Sequence, residues 1–473
     1  MRNEEDTKKK QEQLTQDIAL LDRLLGVEAR KPGKAATLPA AIRIIETLEP
    51  AGGKQVPVFP ASYLGDDDNP TYDLAGIEYG EVATRIQLKD RERFVRPVAR
   101  AKMCAIDAPQ GQANRTEVAF IEADDLKVLV PQADASLPRK GGTKSAENVL
   151  KLPHRIADFR LRLSQKAEVV QAAIRSFANG NALPLIQLMP TSLVFGFWDS
   201  RAKDYQHKHA RILLSRIDAY DVVPCQRHAT YSGPYSKEEF AEVILEDVAR
   251  AKIEKDAEKM SGGGFTNALG SALGGVIVSG SIERLSLISL TDIARINCWK
   301  PTPQPDVAAT SESQTVESGS SKKQNGQLID TPLTNAARRY LFALSALAEA
   351  HPRSTGSHRL RSGCELTHLS LEFTTRGAAL PADDLSHLKS LYFDRERLIA
   401  VADESKNENN LNVPDSLPDF VVTKETLAGK FSVAEAEKKD AKGAGEAGKQ
   451  SGSKKGASKK SADTITPDSA PSA

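Results

Sequence analysis

Aromatic and cationic side chains crowd one stretch of this sequence. Phe195, Phe197 and Trp198 are followed by Arg201, Lys203, Lys208, Arg211 and Arg216, with Asp204 the one acid among those cations. Aromatic faces stack on bases and cationic groups meet phosphates, so such a mixture could hold a nucleic-acid strand. It equally describes core aromatics beside a solvated turn. Two further clusters have similar chemistry. Gln110, Gln112, Asn114 and Arg115 put amide and guanidinium donors at an expected helix start, where backbone N–H groups also favour anions. His154, Arg155, Arg160 and Arg162 open a second expected helix. Each cluster reads either as a ligand site or as a solvated first turn.

Hydrolytic chemistry has less to work with. It needs a nucleophile with a base, paired carboxylates or a metal cluster, and no Gly-x-Ser-x-Gly or His-Glu-x-x-His occurs. His207 and His209 straddle the basic turn but lack the further ligands a metal needs, so they are expected to be exposed polar residues near a polyanion. Asp107 and Asp199 sit beside turns, where lone aspartates cap helices or pair with arginine. Cys104, Cys225, Cys298 and Cys364 are too dispersed for a CxxC zinc site or a disulfide framework. They read as reduced thiols in or near the core. No cofactor and no metal is expected.

The elements that must position these residues can be sketched from the 473-residue chain. Composition is 40% hydrophobic and 27% charged, as for a soluble globular protein with some disordered segments. Net charge is +1, which argues against an indiscriminate polyanion binder but leaves room for a local basic groove. No apolar run reaches the roughly 18 residues of a membrane span, and the first residues are charged where a signal peptide is apolar, so a cytoplasmic protein is expected.

Residues 1–10 are expected to be disordered, with a short helix to Leu25 ended by Gly26 and a linker to residue 34. Ala41–Leu48 reads as a strand buried on both faces and Val56–Tyr72 as a long loop. Val82–Leu88, Val95–Met103 and Leu126–Val130 read as strands, Gln110–Asp124 as a helix and Pro131–Glu147 as a polar connection. Ile156–Phe177 reads as one long helix stopped by Asn179-Gly180. Two buried strands with an exposed basic turn are expected between Pro184 and Ile217.

Ser236 opens a capping-box helix towards Met260. Ser261–Gly275 is a Gly-rich loop before a β-like run to Leu290. It lacks Gly-Lys-Ser/Thr and the strand–loop–helix order of a nucleotide-triphosphate site. Pro301–Asp330 is a disordered insertion. Thr331–Ala350 is a helix, Leu366–Thr374 a strand, Ala382–Leu391 a short helix and Ala434–Ala473 a solvated tail. With no strict βαβ alternation, the fold class is α+β on an antiparallel sheet. The expected domains are 1–34, 35–433 and the 434–473 tail.

Several stretches together resemble one family. They are Ile106-Asp-Ala-Pro-Gln-Gly-Gln-Ala-Asn-Arg-Thr-Glu117, Leu152-Pro-His-Arg-Ile-Ala-Asp158, Pro190-Thr-Ser-Leu-Val-Phe-Gly-Phe-Trp-Asp-Ser-Arg201, Gly274-Gly-Val-Ile-Val-Ser-Gly280 and Leu360-Arg-Ser-Gly-Cys-Glu-Leu366. They resemble the backbone (RAMP-superfamily, Cas seven-type) subunit of the type I-G CRISPR Cascade effector complex, formerly I-U. The family usually carries Asp-Ser before the glutamines and a Ser between them, where this chain has Ala108, Pro109 and Gly111.

The resemblance implies a modified RNA-recognition-motif (ferredoxin-like) sheet with finger-like and thumb-like insertions. It implies a non-enzymatic subunit in antiviral defence that oligomerises along CRISPR guide RNA. The implied partners are that RNA, target DNA through guide pairing, copies of itself and other Cascade subunits. Base pairing then carries the sequence specificity. The residues nominated for RNA contact are Gln110, Gln112, Asn114, Arg115, His154, Arg155, Arg201, Lys203, Lys208, Arg211 and Arg361. Phe195, Phe197 and Trp198 are expected to pack. The alternative is a metal-dependent RAMP ribonuclease, with Asp107 as the first candidate.

Overall fold

The computed structural model describes residues 2–65, 70–81, 84–88, 91–95, 98–139, 144–200, 207–231, 268–300 and 329–428. The expected helix 236–260, the glycines of 261–267, the insertion 301–328 and the tail 434–473 lie outside the described residues.

Alternation builds the centre. In β1 (Pro39–Pro50) every second residue from Ile42 to Pro50 is buried, so one face is inward, and the expectation of burial on both faces does not hold. β2 (Leu74–Tyr79), β3 (Val98–Asp107), β4 (Leu213–Tyr231), β5 (Ala268–Val278), β6 (Ile282–Ser289), β7 (Ser357–Arg361) and β8 (Cys364–Gly377) complete an eight-stranded sheet. Its order is β7-β8-β1-β6-β4-β3-β2, with β5 also paired to β4. Every pairing in it is antiparallel. With the helices packed on its inner face, this is an α+β fold.

The inner face carries two apolar clusters. One joins Ile42, Ile44, Leu213 and Ile288 to Leu20, Leu21, Leu24 and Leu25 of α1 (Arg2–Leu25), and to the almost wholly buried α3 (Thr331–Ser354). The other gathers Leu48, Ile106, Ile217, Val276, Ile282 and Leu366. Residues 2–10, expected to be disordered, are the first turns of α1, where Lys9 pairs with Glu5 one turn back.

Other expectations are corrected by local chemistry. Leu126–Val130 is the end of the helix Asp124–Lys127 and a turn, not a strand. Pro131–Glu147 holds a hairpin of Asp134–Pro138 with Lys144–Asn148, and the loop 56–72 holds a small hairpin, Ser62–Leu64 with Pro70–Tyr72. Part of the glycine-rich loop, from Ala268, is strand β5. The long helix at 156–177 is broken into Phe159–Leu163 and Ala167–Ala178. Ser164 ends the first piece by donating its hydroxyl to Leu161 O at 2.8 Å and accepting from Lys166 N at 3.2 Å.

The apolar run from Pro184 is two helices, Leu183–Leu188 and Thr191–Phe195, rather than a strand. Each has a proline at its start, where a missing N–H costs nothing. The helix Arg395–Asn407, capped by Asp394, was not expected.

Candidate nucleic-acid interface

Between the two apolar clusters a polar belt crosses the inner face. On β1 the inward sequence is Ile44, Glu46, Leu48; on β6 it is Ile282, Arg284, Ser286, Ile288; on β4 it is Leu213, Ser215, Ile217. Glu46 stands directly opposite Arg284, and Ser215 opposite Ser286. Arg284, fully buried, donates to Glu46 Oε2 at 3.2 Å and to Glu349 O at 3.0 Å, and pairs with Glu349 Oε1 at 3.1 Å. Its Nε reaches Ser215 Oγ at 3.0 Å and Gln112 Oε1 at 3.2 Å.

His358 Nε2 and His368 Nδ1 each lie 3.0 Å from Glu46 Oε1. Burial alone would raise the pKa of Glu46. The His358 hydrogen bond and the charges of Arg284, His358 and Arg353 outweigh it and hold the group at about 2. Burial likewise opposes ionisation of Glu349, but Arg284 and Arg353 prevail and lower its pKa.

The belt ends at the start of α2 (Pro109–Glu117). Gln112, whose oxygen takes the Arg284 bond, gives its amide to Asp107 Oδ2 at 2.7 Å. Asp107 also accepts from Arg115 Nε at 3.1 Å and Arg361 Nη2 at 3.0 Å. The other Arg361 nitrogen holds Phe59 O and Ile106 O, both at 3.0 Å. Gly111 permits this closure: a Cβ there would stand 2.7 Å from Asp107 Oδ1.

Around that helix start the nominated residues converge. Gln110 is exposed, lies 3.5 Å from Pro153 O and accepts from Arg211 Nη2. His154, exposed, follows Pro153. Arg155 lies beneath, 2% exposed and with φ of +52°. It bonds Glu117 at 2.8 Å, Gly196 O at 3.3 Å and Asn114 Oδ1 at 3.2 Å, and stacks 5.3 Å from the Phe195 ring centre. Burial lowers the Arg211 pKa, and nearby Arg155 adds to this. Gly196, at φ +76°, brings the next hairpin close: a Cβ there would stand 2.9 Å from His209 O and 3.0 Å from Arg211 Cγ.

Three clusters separate in sequence, plus Arg361, thus share one rim at the end of the sheet. Two of the nominated residues, Gln112 and Arg155, are inside it and position the rim rather than face solvent. Arg201 and Lys203 lie outside the described residues.

Residues 42–224 match the protein-family model described as CRISPR-associated protein GSU0053 (Cas_GSU0053). The match supports a CRISPR-associated protein. It spans β1, α2, the His154–Arg155 turn and the Lys208–Arg211 segment, and leaves out Arg284 and Arg361. No curated protein matches the chain.

The hairpin of Phe197–Asp199 with His207–His209 departs from the sequence reading in two ways. His207 and His209 are not free surface groups: their rings pack edge-on against Phe177 at 5.2 and 5.0 Å, and face Phe197. Burial pulls His209 down to about 4. Trp198, expected to pack with Phe195 and Phe197, is 58% exposed while they are 0% and 6%. Among the described residues no group of three His, Cys, Asp or Glu is placed to hold a metal. Asp107 is 3% exposed and committed to three donors. No described helix is long and apolar enough to cross a membrane.

The sequence reading missed Glu46, Arg284 and Glu349. A signal existed: the alternation that makes β1 and β6 strands puts Glu46 in step with Ile42, Ile44 and Leu48, and Arg284 in step with Ile282 and Ile288.

Proposed function

We propose that this protein is the guide-RNA-binding backbone subunit of a type I-G CRISPR Cascade complex, a RAMP-superfamily chain that assembles in several copies along the RNA. The observation that carries the reading is the rim. Gln110, Arg115, His154, Arg211 and Arg361 come from separate stretches and lie around one helix start, with Lys208 three residues along the chain from Arg211, and all but Arg361 fall within the matched span. Arginine, lysine and amide groups without a base-reading pocket suit a ligand recognised through phosphate and sugar, which is what a binder of any guide sequence needs.

The antiparallel sheet with helices on its inner face is compatible with a modified RNA-recognition motif. Its outer face aligns Ile45 with Leu285 and Leu214 with Leu287, aliphatic side chains that offer no stacking surface, and the arginines beside them, Arg43 and Arg216, are paired with Glu372 and Asp218. The rim, not the sheet face, is therefore the RNA surface in this reading. The subunit is not an enzyme in this account: a ribonuclease based on Asp107 would have to strip that carboxylate of Gln112, Arg115 and Arg361.

Purification without nuclease, from cells that express the guide, tests the proposal. Protein carrying short RNAs of repeat-spacer composition supports it. Nucleic-acid-free monomers from the same cells would contradict it.

A further inference from the structure

Trp198 has no packing role that explains its position. The short hairpin that carries it is anchored through the opposite side. Register places Phe197 opposite His209 and Asp199 opposite His207, and this set faces inward: Phe197 is 6% and Asp199 1% exposed, the histidine rings pack on Phe177, and Arg162 pairs with Asp199. The outward pair is Trp198 and Lys208, directly opposite each other, with the ammonium 5.7 Å from the indole centre.

A rigid base for the hairpin is supplied by Gly196, whose carbonyl Arg155 holds at 3.3 Å and whose missing Cβ lets Arg211 approach. Trp198 therefore projects from an element fixed at the edge of the cationic rim, two residues from Gly196.

We infer that Trp198 and Lys208 form a stacking site for one unpaired nucleobase of a single-stranded RNA, with the base on the indole and an adjoining phosphate on the ammonium. The inference rests on the RNA-strand reading of the rim and adds a base contact to it. An indole face accepts any base, so the contact is strong without being sequence-specific. The short cross-strand spacing matches the needs of one nucleotide, whose base and phosphate belong to the same residue. Charge complementarity favours a polyanion over an apolar protein surface here, because the Lys208 ammonium stands over the indole and Arg211 adjoins Gly196, two residues before it.

The full-length chain contains two tryptophans, Trp198 and Trp299, so Trp299→Phe leaves Trp198 as the single reporter. Titration of that protein with a short oligoadenylate is expected to quench its fluorescence. Trp198→Ala is expected to weaken oligoadenylate binding by roughly 5- to 150-fold, the range for one base–aromatic stack. Trp198→Phe should recover most of the loss, and the slope of affinity against salt should stay unchanged in both. An oligomer of equal charge with abasic positions should bind wild type and Trp198→Ala alike.

If wild type binds RNA but Trp198→Ala binds oligoadenylate as tightly, the stacking site is wrong and the rim reading stands. The stacking site is wrong in the same way if Trp198→Ala changes only self-association, measured by sedimentation. If wild type binds neither oligomer, the rim reading fails and takes the stacking site with it.

Discussion

The belt inside the sheet and the rim around the start of α2 use the same residue types and differ in what those groups are free to do. Arg284 in the belt is fully buried and meets Glu46, Glu349, Ser215 and Gln112. Lys208 on the rim is exposed, and Arg115 is 39% exposed with one carboxylate partner. A buried cation without its anions is far too costly to keep, so the belt must be complete within the fold. An exposed cation keeps its hydration and can exchange water for a phosphate. The two regions are joined at Gln112, which takes Arg284 on its oxygen and gives its amide to Asp107. The belt fixes where the rim stands, and the rim supplies the groups that face a ligand.

Breaking the belt should have the largest effect. Arg284→Ala leaves Glu46 and Glu349 buried without their central cation, and is expected to cost about 3–5 kcal/mol of stability in urea unfolding. A loss under about 1 kcal/mol would show that the belt is not a closed set of charges.

Acid separates belt from rim by its window. Glu46 titrates at about 2 in the fold against 4.5 in a free carboxyl. Its contribution, about 3 kcal/mol, is present above pH 4.5 and is lost as pH falls towards 2. Glu46→Gln should flatten the stability profile there.

His209 titrates at about 4 against 6.5 because burial disfavours its charged form. The unfolded chain takes that proton first, so stability is full above pH 6.5 and falls towards pH 4, by up to about 3 kcal/mol. His209→Gln should reduce the slope between pH 6.5 and 4, which His207 and His351, also lowered by burial, share, and leave the more acidic limb in place. Coincident windows for the two variants would contradict the separation.

The smallest stability effect belongs to Lys208→Ala, expected within about 0.5 kcal/mol as for other surface changes.

Element type was more legible than burial. β1, α3 and the helix Ala382–Tyr392 were found near their expected places, but β1 buries one face rather than two and the β-like run to Leu290 divides into β5 and β6. Punctuation inside an apolar run was harder. Ser164 breaks a helix through its hydroxyl, and Pro184 and Pro190 start helices in a run that looked like strand. At the site, residue type announced cations but not their depth. Arg155 reads like a surface residue beside His154, and only the fold reveals Glu117, Asn114 and Gly196 closing on it. Trp198 inverted the expectation for the same reason: alternation along a three-residue strand sends it outward while Phe197 goes in.

The most direct test of the rim is the salt dependence of single-stranded RNA binding by wild type and by the double variant Lys208→Ala, Arg211→Ala. Each phosphate contact contributes about 0.7 to the slope of log affinity against log salt on a single strand. Weaker binding and a slope reduced by about 1.4 are expected in the variant, with its melting temperature confirming a folded chain. Unchanged affinity and slope in a folded double variant would contradict the rim reading.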